Sequence, residues 1–140
     1  MKRIGHKGAH TIEHGNTAAS FHAARGLAVD MIEFDIMRHP YEDRQNGQLV
    51  LAHDPADAAD REGKTLLTME QGLDLLASPE FSEIGLDVDM KHRGFELQVI
   101  DALRERDLLD RTMITTMHAE SLKLIHEHVP KGEIKLGLTI

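Results

Sequence analysis

Two stretches of this sequence carry acidic residues at every second position. In Met31–Met37, Glu33 and Asp35 alternate with Ile32, Phe34 and Ile36; in Leu86–Lys91, Asp87, Asp89 and Lys91 alternate with Leu86, Val88 and Met90. A period of two is that of a β-strand, so each stretch presents one apolar and one charged face. If helices cover the apolar faces, the charges turn inward, where unpaired carboxylates are costly. A cation among them removes that cost, and an all-oxygen donor set suits Mg²⁺ or Ca²⁺. Either stretch alone also fits a half-exposed antiparallel strand with a solvated acidic face. Two of them in one α/β pattern favour the cation.

Histidines are the second candidates. His6 closes the first strand-like segment, Ile4–Gly8, and His53 closes the third, Gln48–His53. Both therefore fall at C-terminal strand ends, where (β/α) barrels build their active sites. Two histidines beside a metal can divide the work of general acid and general base. His6, His10 and His14, spaced by four, would form a zinc face on a helix, but Gly5, Gly8 and Thr11 argue against a helix there. His126 and His128 suit the C-terminal end of an amphipathic helix and read as structural or solvated. Lys135 shares a strand face with Gly137 and Thr139 and reads as an interior or surface residue.

The elements that would position these groups alternate along the chain. Strands are expected at Ile4–Gly8, Met31–Met37, Gln48–His53, Leu86–Lys91, Thr112–Met117 and Ile134–Ile140. The Asn46-Gly47 pair predicts that Gln48–His53 pairs locally. Helices are expected from an Asn16/Thr17 cap through Ala28, from a Thr68/Gln71 capping box through Leu76, over Phe95–Arg106, and over Ala119–Val129. Asp57–Lys64 reads only as a charged run. The alternation predicts an α/β fold of the (β/α) TIM-barrel type with about the first five barrel strands present. A closed barrel takes about 250 residues. The 140-residue chain is therefore expected to be one domain, 1–140, truncated at its C-terminal side. The alternatives are pairing with a second copy, as a homo-oligomer, or an open sheet.

Bulk properties narrow the function classes. The formal net charge is −8, which argues against a nucleic-acid or anionic-membrane surface but allows a small anionic substrate near a metal. There is no cysteine, hence no disulfide, thiolate site or cysteine nucleophile. Met1-Lys2-Arg3 is not followed by the apolar core of a signal peptide, and no run approaches a membrane span. The expected location is the cytoplasm.

Taken together, the motifs resemble the glycerophosphodiester phosphodiesterase family. Gly5-His6-Lys7-Gly8-Ala9 is similar to that family's Gly-His-Arg-Gly-Ala, and Gly15-Asn16-Thr17 with Ala19, Phe21 and Ala24 to its Glu-Asn-Thr motif and first helix. Val29–Ile36 resembles its Ala-Asp-Met-Ile-Glu-Leu-Asp-Val strand, Leu49–Asp54 its Val-Val-Xaa-His-Asp, and Leu86–Lys91 its Asn-Ile-Glu-Xaa-Lys. The resemblance implies that Glu33, Asp35 and Asp89 ligate a divalent cation, Mg²⁺ or Ca²⁺. It implies that His6 and His53 form an acid–base pair, that Lys7 and Lys91 bind phosphate or substrate oxygens, and that Asp54 orients its neighbours. The implied reaction is hydrolysis of a small-molecule glycerophosphodiester to glycerol phosphate and an alcohol. Three departures stand out: Lys7 for arginine, Gly15 for glutamate, and Asp89 for glutamate. The segment between His53 and Leu86 is short, so an open site is expected. The absence of cysteine counts against the related sphingomyelinase D-like branch. The rival class is a non-catalytic metal- or phosphate-binding half-barrel that self-associates.

Overall fold

Two strands with the alternating pattern read above sit side by side at the centre of a six-stranded sheet. The computed structural model describes residues 1–140. Its strands are β1 (Ile4–His6), β2 (Met31–His39), β3 (Gln48–Leu51), β4 (Gly85–Met90), β5 (Thr112–Thr116) and β6 (Lys135–Leu138). Five of them run parallel in the order β1-β2-β4-β5-β6. The sixth, β3, lies off this path and pairs antiparallel with the end of β2, Ile36 opposite Leu51 and His39 opposite Gln48. The local pairing expected after Asn46-Gly47 is thus present. The five parallel strands are those expected of a partial barrel, with β1 and β6 as the sheet edges.

Register decides which charges meet. Glu33 lies opposite His6 on one side and Asp87 on the other, and Asp35 lies opposite Asp89. All these side chains fall on one face because both strands alternate in phase. The opposite face carries Ile32, Phe34, Ile36, Leu86, Val88 and Ile114, none of them measurably exposed. It packs on the helices α1 (Ala18–Gly26), α3 (Met69–Leu76), α4 (Glu96–Glu105) and α5 (Ala119–His128), which contribute Phe21, Leu73, Leu76, Val99, Leu103 and Ile125 to the same core. Burying one such aliphatic or aromatic side chain contributes about 1.5–3 kcal/mol, so this face holds the sheet against the helices.

Capping sets the helix starts. Thr17 accepts the Ser20 N–H while the Ser20 hydroxyl oxygen accepts the Thr17 N–H, and Thr68 and Gln71 do the same for α3. The first helix ends at Gly26, short of the expected Ala28, which adopts a φ of 54° as the chain turns into β2. The charged run after His53 is the helix α2 (Pro55–Arg61), capped by Asp54 with Pro55 in its first turn. Arg106 clamps α4 to α3 through Glu70 and Asp74. No helix is long and apolar enough to cross a membrane.

Candidate active site

The carboxylates of Glu33, Asp35 and Asp89 converge on the inner face of the sheet. One oxygen from each lies within 4.8 Å of the others. At that separation like charges repel by roughly 3 kcal/mol per pair at an effective dielectric near 20. Burial pushes the Glu33 carboxyl up to about 8, Asp35, Asp89 and Asp87 add to the rise, and the Lys7 N–H opposes it. Burial also raises Asp89, against the pull of Lys91. Holding all three ionised therefore needs positive charge. An oxygen-only donor set of this compactness fits a hard divalent cation.

Lys91 supplies part of that charge. Its Nζ lies 2.9 Å from Asp89 Oδ2 and 3.2 Å from Asp35 Oδ1. Burial alone would lower Lys91, but Asp89 and Asp35 outweigh it and hold the ammonium above its usual value. Asp87 sits one layer deeper and accepts the Thr115 hydroxyl at 2.8 Å. Burial raises its carboxyl despite that bond.

The β1–α1 loop closes the site from the other side. Lys7 has a φ of 53°, a left-handed conformation uncommon for a residue with a Cβ. It directs the Lys7 N–H to Glu33 Oε2 at 3.1 Å. His6 Nε2 lies 3.5 Å from the same oxygen. Burial, Lys7, His10 and His53 hold the His6 ring below its usual value, and Asp35 opposes them. His53 lies two residues beyond the end of β3, and its Nδ1 is 3.2 Å from Asp54 Oδ2. Asp54 thus touches His53 directly and also caps α2. Of the residues singled out for the site, Glu33, Asp35 and Asp89 converge and Lys91 bridges the last two, His6 and Lys7 adjoin Glu33, and His53 lines a pocket with Lys7.

Two further groups carry the site. Asn16 is fully buried at a φ of 62° and hydrogen-bonds Asp35 twice. It appears in the sequence as a motif residue and cap candidate, with nothing there to show that its side chain turns toward β2. Arg61 is also buried and donates to Asp57, to the Leu51 carbonyl at 2.6 Å and to the Asn16 carbonyl at 3.4 Å. It ties the His53 segment to the β1–α1 loop. The Asp57–Arg61 spacing of four was the signal available for it.

Solved structures similar to this chain include several glycerophosphodiester phosphodiesterases. No family profile and no curated protein matches the chain at the level of sequence. Among solved structures, a glycerophosphodiester phosphodiesterase from Parabacteroides distasonis matches 98% of the chain with a TM-score of 0.77 at 19% identity. The chain has the fold of the glycerophosphodiester phosphodiesterases. A second such enzyme, from Agrobacterium tumefaciens, matches 94% of the chain at a TM-score of 0.74 and 18% identity. A phosphodiesterase from Oleispira antarctica, solved with the product sn-glycerol-3-phosphate, matches all of it at 0.73 and 19%. The chain spans 64% of the length of the first two and 66% of the third. At these identities the likeness establishes the shared α/β architecture, and function must be argued from the site.

Proposed function

We propose that this site hydrolyses glycerophosphodiesters to glycerol phosphate and an alcohol. The observation that carries the reading is the convergence of Glu33, Asp35 and Asp89 within 4.8 Å on the inner face of the parallel strands β2 and β4, with His6, at the C-terminal end of β1, 3.5 Å from Glu33. Glycerophosphodiester phosphodiesterases sharing the fold support it, one of them solved with sn-glycerol-3-phosphate.

A divalent cation, Mg²⁺ or Ca²⁺, would be held by Glu33, Asp35 and Asp89 and would supply Lewis-acid polarisation of a phosphoryl oxygen. The chain's own residues do the rest. Lys7 and Lys91 offer ammonium groups to the non-bridging oxygens and offset the negative charge those oxygens carry in the transition state. One of His6 and His53 takes a proton from the attacking water as the water oxygen bonds to phosphorus. The other returns a proton to the alcohol oxygen as its bond to phosphorus breaks. Asn16 keeps Asp35 aimed, and Asp54 keeps the His53 ring in one orientation. The cytoplasm is the compartment this reading assigns, in keeping with a chain without cysteine.

The test is turnover of glycerophosphocholine by the purified chain with Mg²⁺ or Ca²⁺. Release of glycerol phosphate that disappears with chelator and in H53A is the expected result. A folded chain that binds the cation and yields no product would sink the catalytic reading.

A further inference from the structure

A cavity of about 330 Å³ lies between the β1–α1 loop and the start of α2, and none of its lining residues is hydrophobic. Asn16 lines it and separates it from Asp35, so it adjoins the carboxylate cluster without being part of it. Three imidazoles face it, and each has one ring nitrogen engaged within the chain. His10 Nδ1 lies 3.0 Å from the His6 carbonyl, His14 Nε2 lies 2.8 Å from Asp57 Oδ1, and His53 Nδ1 lies 3.2 Å from Asp54 Oδ2. A carbonyl or carboxylate only accepts, so the engaged nitrogen of each ring carries a proton. The second nitrogen of each ring makes no hydrogen bond within the chain, and the Lys7 ammonium, in the same cavity, forms no ion pair.

The two carboxylates of the cavity are already committed. Asp57 accepts from Arg61 Nε and Nη2, each at 3.0 Å, from the His53 N–H at 3.1 Å, and from His14. Asp54 accepts the Asp57 N–H at 2.8 Å as well as His53. What the cavity has to offer is therefore one ammonium and three ring nitrogens, which become donors when the rings are protonated. A cation is the competing occupant. The ammonium opposes it, and the group of three ligand atoms that converges within 4.8 Å is that of Glu33, Asp35 and Asp89 instead.

We propose that this cavity binds a second oxyanion, a phosphate or carboxylate carried by the substrate in addition to the diester under attack, with His10 and His14 as its own donors and the Lys7 ammonium shared between it and the diester phosphate. Charge-assisted bonds of this kind are about twice as strong as neutral ones, and Asp57, locked by Arg61, keeps the His14 ring in place. The assignment to a substrate rests on the phosphodiesterase reading; the anion site itself does not.

The experiment has two arms. Inorganic phosphate is titrated into the full chain in the presence of Mg²⁺, following the histidine ring signals by NMR in wild type, H14Q and H10Q. His10 and His14 are expected to shift saturably with phosphate and not with chloride at equal ionic strength. H14Q is expected to weaken that binding about ten-fold, the equivalent of roughly 1.4 kcal/mol. Silent rings, or undiminished phosphate affinity in both folded variants, would overturn the site. In the second arm, kcat/KM is compared for a glycerophosphodiester whose alcohol ends in a phosphate monoester and for glycerophosphocholine. The ratio should favour the anionic diester in wild type and fall about ten-fold in H14Q; a ratio unmoved by both substitutions would overturn the substrate assignment. No turnover of either diester, with the phosphate-dependent shifts intact, would sink the phosphodiesterase reading and leave the anion site standing.

Discussion

Asn16 holds Asp35 from two directions: its Nδ2 donates to Asp35 Oδ2 at 2.9 Å, and its Oδ1 accepts the Asp35 backbone N–H at 3.0 Å. A side chain gripped at both its backbone and its carboxylate has little freedom to turn away from Glu33 and Asp89. The third contact to Asp35, from Lys91, is on the other oxygen, so both lone-pair regions of the carboxylate are oriented.

Replacing Asn16 by alanine should therefore damage the cation site more than the fold. It leaves the buried Asp35 N–H and one carboxylate oxygen without partners, which costs about 1–3 kcal/mol of stability. Loss of a residue that orients a ligand typically weakens metal binding by about 10–100-fold. Calorimetric titration of Mg²⁺ or Ca²⁺ into N16A measures the second effect and urea unfolding the first. Wild-type cation affinity in N16A would show that Asp35 is held by its strand alone.

Lys91 gives linked predictions for the cation-free and the cation-loaded chain. Its ammonium lies between Asp35 and Asp89, so K91M leaves two adjacent carboxylates unneutralised. The chelated variant should lose about 2 kcal/mol, less than the 3–5 kcal/mol of a fully buried pair because Lys91 remains partly exposed. Added Mg²⁺ should then raise the melting temperature of K91M by more than it raises that of wild type, since the cation replaces a missing charge. Equal shifts in the two proteins, measured by thermal denaturation with and without chelator, would show that Lys91 and the cation do not share these carboxylates.

How much of this was legible beforehand differs residue by residue. Glu33, Asp35 and Asp89 could be read because strand alternation is a property of neighbouring residues, and both strands carry it. That Asp35 faces Asp89 depends on a register between segments more than fifty residues apart, which no local pattern encodes. His53 was readable as the end of an extended run, although the strand stops at Leu51 and α2 positions it. Asn16 and Lys7 act through left-handed backbone at φ of 62° and 53°, a conformation that suits asparagine but that a lysine does not announce. Arg61 escaped because Asp57–Lys64 reads as solvated charge, whereas its side chain reaches the carbonyls of Leu51 and Asn16. Pro55 after a capping Asp54 was a helix-start signal in plain view.

Asp57 makes stability depend on pH in a stated direction. Burial pushes its carboxyl up, but Arg61, the His53 N–H and His14 outweigh it and hold the group well below the usual carboxylate range. A carboxyl depressed in the folded state stabilises fully above its unfolded value, near 3.9, and that contribution is lost as pH falls from there toward the folded value. D57N should be less stable than wild type by about 3 kcal/mol at neutral pH, because buried Arg61 loses its charged partner. The gap should stay constant down to about pH 5 and narrow below about pH 4. Urea midpoints of both proteins across that range test it; a gap that widens on acidification would contradict the assignment.

The glycine at position 15 tests whether the loop geometry matters to the chemistry. A Cβ there would lie 2.7 Å from Lys7 Cβ, 3.1 Å from Lys7 Cδ and 3.3 Å from His10 Cβ. The first of these is closer than real Cβ contacts allow, and the atom met is the root of the Lys7 side chain, which moves only if the backbone moves. That backbone is tied down: the Lys7 N–H donates to Glu33, and its carbonyl accepts the Asn16 N–H at 2.9 Å and the Ser20 hydroxyl at 2.9 Å. G15A should therefore cost about 1–3 kcal/mol through overpacking and shift Lys7 relative to the site. If Lys7 holds substrate oxygens, KM should rise by about ten-fold in G15A with a smaller change in kcat, the pattern of a lost binding contact. A G15A protein with wild-type stability and KM would mean that the loop yields freely and that Lys7 is not held in place by this packing.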